Sequence, residues 1–316
     1  MTKISPYALG ATLYMPATRT DLLSVVLGEK IPSLRSLVIC LEDAVSESDV
    51  GYALDNLQRL LITLSSGQPR YKNAPLVFIR PRNLAMATQL VEWPLISLID
   101  GFVLPKFTLY DLPIWQHLIA PTRLSVMPTL ETKEVFDAGA MCELAAALVK
   151  EDLGARVLAL RIGGNDLLNC LGLRRSQTHT LYQSPLGYVI GMLSGVMGAA
   201  GFSLTAPVCE LLHHPQLLCR ELAQDMDYGL VGKTAIHPTQ IPLIHCALQV
   251  SVEDQQAALL ILNSSAPAVF QHNGAMCEPA THVRWAKRTL ERAHWYGVVG
   301  IDEALLKVAP QPMQNA

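Results

Sequence analysis

The chain has 316 residues, half of them hydrophobic and only 16% charged, with a formal net charge of −3. That length suits one α/β barrel with an extension and supplies a large core. The lack of any basic block argues against nucleic acid or an anionic membrane surface as the main partner.

In chain order, β-like apolar runs at 11–16 and 36–41 precede a helical pattern at 49–64. Runs at 76–80, 101–105 and 124–128 follow, with helical stretches at 85–98 and 132–151. Beyond them come a run at 157–162, a helix at 186–200, a run at 202–205, a helix at 215–226 and a last run at 229–232. Eight short runs alternating with helices predict a (β/α)8 TIM barrel over residues 1–250. Helical patterns at 252–263 and 278–296 predict a C-terminal helical extension over 251–316, packing on the barrel or on a neighbouring subunit.

Residues 176–209 contain no Asp, Glu, Lys or Arg, and Gly187, Gly191 and Gly195 repeat at small-residue spacing. A membrane helix has that look. Pro185 and the polar Gln183, Ser184 and Ser194 favour a closely packed buried helix, and no membrane partner is expected. The seven cysteines, Cys40, Cys142, Cys170, Cys209, Cys219, Cys246 and Cys277, include no CxxC pair, and most fall in apolar stretches and read as small hydrophobes. Met1-Thr-Lys-Ile-Ser-Pro-Tyr7 carries no continuous apolar run, so the expected compartment is the reducing cytoplasm.

In this barrel class the chemistry sits at the C-terminal mouths of the strands. The mouth residues are Pro16 and Arg19, Glu42 and Asp43, Arg80 and Arg82, Lys106, Glu131, Asn165 and Asp166, and then Lys233 and His237. Glu131 and Asp166 close neighbouring apolar runs, and two such acids suit a hard divalent cation such as Mg2+. The alternatives are a capping acid and a turn aspartate. Gly163 and Gly164 beside Asp166 allow close backbone approach. Arg80 suits bidentate binding of a substrate carboxylate, its alternative being a structural ion pair with Glu42 or Asp43. Glu42 and Asp43 would order water or move a proton, or would be ordinary loop acids. Lys106 would offset anionic charge or remain solvated. Gly232-Lys-Thr234 is no phosphate-binding loop, because Asp227 stands where the upstream glycine is required.

Seven pieces in order resemble the citrate lyase beta-subunit-like family of the HpcH/HpaI aldolase superfamily, over about residues 13–290. They are Leu13-Tyr-Met-Pro16 with Arg19, Leu41-Glu-Asp-Ala-Val45, Ile79-Arg80, Leu104-Pro-Lys106, Leu130-Glu-Thr132, Gly163-Gly-Asn-Asp166 and Gly232-Lys-Thr-Ala-Ile-His-Pro238. The resemblance implies a Mg2+-dependent carbon–carbon lyase of retro-aldol or Claisen type. Its substrate would be an acyl-CoA or acyl-carrier thioester such as citryl, citramalyl or malyl-CoA, and its assembly a homotrimer or larger homo-oligomer. It implies Glu131 and Asp166 as metal ligands and Arg80 as the group holding the substrate carboxylate or oxo oxygen. Glu42 and Asp43 would hydrogen-bond around the metal, with Lys106 and Arg19 as further substrate-binding residues.

The chain departs from the family pattern in three places. Cys40 stands where an Asp is usual and Ala17 where a Gly is usual. A C-terminal Met-Ile-Asp is matched by Met276-Cys277-Glu278-Pro279, in which Glu278 is the nearest acid. Two further readings stay open: a malyl-CoA thioesterase or synthase, and a catalytically weakened thioester-binding scaffold.

Overall fold

A computed structural model describes residues 4–67 and 74–300. Residues 301–316 of the expected extension lie outside the described residues. The chain divides into two compact units, one ending at Ile244 and one beginning at His245.

The first unit is the expected barrel. Its strands are β1 (Gly10–Pro16), β2 (Ser36–Cys40), β3 (Leu76–Arg80), β4 (Gly101–Leu104), β5 (Ser125–Leu130), β6 (Leu160–Ile162), β7 (Leu204–Thr205) and β8 (Gly232–Ala235). They run in the order β7-β6-β5-β4-β3-β2-β1-β8, each paired ladder parallel. A single bridge between Ala206 and Lys233 closes the ring, with the Ala206 amide donating to the Gly232 carbonyl at 2.7 Å.

Strands covered on both faces must be apolar almost throughout. Accordingly β2 (Ser-Leu-Val-Ile-Cys) and β4 (Gly-Phe-Val-Leu) are buried along their whole length. Alternate residues still face inward. Val38, Phe78, Val103 and Met127 meet Leu9, Leu158 and Ala159 in an apolar floor, and Tyr14 and Leu76 pack against it. β4 opens on Gly101 because a Cβ there would lie 2.1 Å from the Ser125 carbonyl oxygen. The step from floor to site follows the pleat: on β5, Met127 belongs to the floor, while Thr129 and then Glu131 face the space above it.

Two strands, β6 and β8, depart furthest from expectation. β8 lies three residues later than the run at 229–232, because Gly229 (φ 69°) ends the preceding helix in a left-handed turn. Lys233 is therefore not a mouth residue. It points outward from mid-strand and is buried against the helix Pro215–Asp227, 3.0 Å from Asp225 and 3.4 Å from Glu221. Arg175 joins this cluster through Glu221 and Glu210, and the Tyr182 hydroxyl donates to Asp225 at 2.6 Å. β6 is shorter than the run at 157–162, and Val157 keeps one bridge to Val126.

The region 176–209 contains α1 (Pro185–Ala199), opened by Ser184 accepting from the Leu186 amide and by Pro185 in the first turn. Leu186, Val189, Ile190, Leu193 and Met197 are buried, and α1 packs against the helix Ala138–Lys150. Gly187 is required for the approach, since a Cβ would sit 2.2 Å from the Tyr182 carbonyl oxygen. Among the described residues, no helix is long and apolar enough to cross a membrane.

The second unit holds α2 (Val252–Ile261) and α3 (Pro279–Tyr296). It also contains β-structure that the helical reading did not anticipate: the hairpin β10 (Phe270–His272) with β11 (Ala275–Cys277), and the parallel pair β9 (Val250–Ser251) with β12 (Val298–Val299). Asn273 and Gly274, both at positive φ, form the hairpin turn. Its small core joins Ala258, Ile261, Cys277 and Ala286. Glu278 caps α3, its amide donating to His282 Nδ1 at 3.1 Å.

Candidate active site

A cavity of about 230 Å³ opens at the C-terminal ends of the strands. Asp43, Arg80, Glu131, Asn165 and Asp166 all line it, so residues read at the mouths of β2, β3, β5 and β6 share one space. Asp166 lies in the first turn of a short helix, Gly164–Cys170, that begins directly after β6. Its carboxylate has no hydrogen bond or ion pair among the described residues.

Arg80 is the hub. Its guanidinium lies 2.5 Å from Glu42 Oε2, 3.1 Å from Glu131 Oε1 and 3.4 Å from Asp43 Oδ2. Glu42 and Glu131 are buried, whereas Asp43 is more than half exposed. Lys106 closes the group twice, through an Nζ to Glu42 Oε1 contact of 3.3 Å and through its amide, which donates to Glu131 Oε1 at 2.8 Å. The second bond comes with a backbone φ of 48° at Lys106. This left-handed conformation costs a side-chain-bearing residue about 1–2 kcal/mol, and such strain gathers at working sites.

Burial dominates the electrostatics. It pushes the Glu131 carboxyl up to about 7; the Asp166 and Glu42 charges add to the rise, while Arg80 and the Lys106 amide oppose it. Burial also raises Glu42, against the pull of Arg80. Desolvation works against the Arg80 charge, yet Glu131, Tyr14 and Glu42 hold its pKa above the usual arginine value.

Gly163 is packed against Glu131: a Cβ there would fall 2.3 Å from both Glu131 Cβ and Oε2. The close approach read from the double glycine is thus made first by a protein carboxylate. One Glu131 oxygen is taken by Arg80 and Lys106, and the other lies on the Gly163 side. Glu131 and the half-buried Asp166 therefore offer two carboxylates on one open space. That donor set fits a hard cation that keeps several waters. Among the described residues, no group of three or more His, Cys, Asp or Glu forms an all-protein metal cage.

Arg19 is not brought to this cavity. Its guanidinium forms a two-pronged pair with Asp21, both bonds 2.7 Å, and Lys30 joins the same carboxylate. His237 is also away from the lining, its Nδ1 2.8 Å from Thr239 Oγ1. Conversely, Tyr14, Cys40, Thr129, Arg161 and Thr234 line the cavity and were not singled out by the mouth criterion. All five lie inside strands on the inward face. Alternation along each run carries their signal, and the charged Arg161 within an apolar strand is its clearest case.

A lyase barrel family is what this architecture and site define. The model of the family described as C–C bond lyase of the TIM-barrel fold matches residues 3–298. The chain belongs to that family of carbon–carbon bond lyases.

Solved structures with the same fold include CitE from Mycobacterium tuberculosis in complex with magnesium, acetoacetate and coenzyme A. It is 22% identical, with 91% of this chain and 99% of that chain covered and a TM-score of 0.66. A citrate lyase from Burkholderia xenovorans LB400 is 18% identical over 95% of this chain and 98% of that chain, with a TM-score of 0.71. RipC from Yersinia pestis is 21% identical over 77% and 96%, with a TM-score of 0.58. The expected likeness to citrate lyase beta subunits is borne out. No curated protein sequence matches the chain.

Proposed function

We propose that this protein is a Mg2+-dependent lyase that cleaves, by retro-aldol or Claisen-type chemistry, a 3-hydroxyacyl thioester such as citryl, citramalyl or malyl-CoA. The observation that carries the reading is the convergence of Glu131, Asp166 and Arg80 on one cavity at the strand ends. Complexes of M. tuberculosis CitE with magnesium, with acetoacetate and coenzyme A, and of its citrate lyase beta subunit with oxaloacetate and magnesium, support it.

Glu131 and Asp166 would hold the metal. When bound, Mg2+ would supply Lewis-acid stabilisation of developing negative charge. Arg80 directs a fixed positive charge into the same space and would steady the substrate carboxylate or oxo group, in a site where burial strengthens electrostatics. Glu42, with its carboxyl raised by burial and seated between Arg80 and Lys106, is the group we assign to holding and moving a proton. Asp43 and Lys106 tune the charge at the rim. Arg19, half-exposed beside Asp21, would meet the carrier end of the thioester. We further propose a cytoplasmic homo-oligomer, trimeric or larger, with a carrier-linked substrate.

The test measures Mg2+ binding and cleavage of citryl-, citramalyl- and malyl-CoA by wild type and by Asp166→Ala. Loss of both metal binding and turnover is expected in the variant. Full turnover by Asp166→Ala in the presence of a chelator would reject the reading. One observation favours a second reading, a weakened thioester-binding scaffold: the cavity wall carries the thiol Cys40, its pKa raised by burial, at the position where the family resemblance implies an acid. Thioester affinity indifferent to Mg2+, without cleavage, would establish that reading instead.

A further inference from the structure

The cavity contains two arginines in opposite situations. Arg80 is charge-balanced by three protein carboxylates. Arg161, on β6, is only 2% exposed, lines the same cavity and has no carboxylate partner among the described residues. Of its five N–H donors, one goes to Thr234 Oγ1 and one to the weak acceptor Met127 Sδ at 3.9 Å. The guanidinium carbon lies 5.2 Å from the centre of the Tyr14 ring. A cation–π contact and one hydroxyl do not neutralise a buried full charge, and an unpaired buried charge is among the costliest groups a protein can hold.

The neighbouring strands repeat the pattern. Arg161 is in register with Thr129 on β5 and Thr205 on β7, and both of those hydroxyls are buried without a hydrogen-bond partner. Thr129 also lines the cavity. An uncompensated guanidinium flanked by unsatisfied hydroxyls forms a cradle for an anion with several acceptor oxygens. The planar fork of arginine matches a carboxylate in particular.

We propose that Arg161 binds a second carboxylate of the substrate, remote from the one at Arg80, so that the enzyme acts on an acyl group with two free carboxylates and releases a dicarboxylic oxo acid. This rests on the lyase reading for the reaction, but the anion site stands on its own geometry. It selects a citryl-type substrate over the malyl and citramalyl types, which carry one free carboxylate.

The probe is a pair of 2-hydroxy acids differing by one carboxylate, malate and lactate. Their binding is measured by calorimetry with Mg2+ and again with EDTA. Wild type should bind malate at least about tenfold more tightly than lactate, the size of one charge-assisted bidentate contact. Arg161→Met, which keeps most of the side-chain volume, should erase that preference and leave lactate affinity within about twofold. Equal weakening of both acids would show a purely structural residue and overturn the proposal, as would wild type with no preference for malate. If Arg161→Met does not fold, Arg161→Lys carries the test: a reduced but persistent malate preference is expected, and loss of both acids counts against the proposal. Failure of the Mg2+ lyase reading looks different. Binding of both acids would then be the same in Mg2+ and EDTA, while the malate-to-lactate ratio would still depend on residue 161.

Discussion

At the scale of single residues, Glu131 ties charge to stability. Its carboxyl titrates near 4.5 when unfolded and is pushed up to about 7 by burial in the fold. Between those values the unfolded chain gives up its proton while the folded chain keeps it, so metal-free stability falls as pH rises through this window. At about 1.4 kcal/mol per pH unit, the loss is at most a few kcal/mol. Glu131→Gln keeps an acceptor for the Lys106 amide and removes the charge. In EDTA, its melting temperature should fall less than that of wild type between pH 5 and pH 8; parallel profiles would show that Glu131 is already ionised at pH 5. The same residue illustrates what could be read in advance. Glu42, Arg80, Lys106, Glu131 and Asp166 were visible because each charge ends an apolar run or follows one within a few residues. Thr129, Arg161 and Thr234 were hidden inside strands, where burial of the run masks which face is polar. Of the two roles weighed for Arg80, the structure shows the ion pair, with the Glu42 and Glu131 carboxylates as its partners.

At the scale of elements, the pattern of apolar runs located all eight strands in order but misplaced β8. The reason is chemical. Gly232-Lys-Thr-Ala235 carries a charge and a hydroxyl in mid-strand, each paid attention by a different face: Lys233 finds Asp225 and Glu221 outside the barrel, and Thr234 meets Arg161 inside. Helices such as Leu112–Ile119 and Gly164–Cys170 are only two turns long, too short for a 3.6-residue period to stand out. The β8 cluster makes a testable element-scale claim. Lys233→Met leaves Asp225 and Glu221 buried with one cation fewer, and breaking a buried pair in this way costs about 3–5 kcal/mol. Urea unfolding should show a loss of that order, because β8 and the helix before it close the ring against β1. A change below about 1 kcal/mol would mean that water or Arg175 compensates the acids.

For the whole molecule, the barrel places acids from different segments around one opening, so a bound cation would tie β5 to the segment after β6. Anything that binds the folded state alone stabilises it by mass action, by about 2.7 kcal/mol at one hundred times its dissociation constant. For a folding unit of this size, each kcal/mol moves the melting temperature by roughly 2–4 °C. Saturating Mg2+ should therefore raise the wild-type melting temperature by at least about 5 °C over NaCl of equal ionic strength. Asp166→Ala should show no such shift, since Glu131 alone already spends one oxygen on Arg80 and Lys106. The comparison needs no substrate and no turnover, so it isolates the ion site from the identity of the thioester. An equal shift in wild type and variant would move the cation to other groups and leave the Glu131–Asp166 pair without its proposed role.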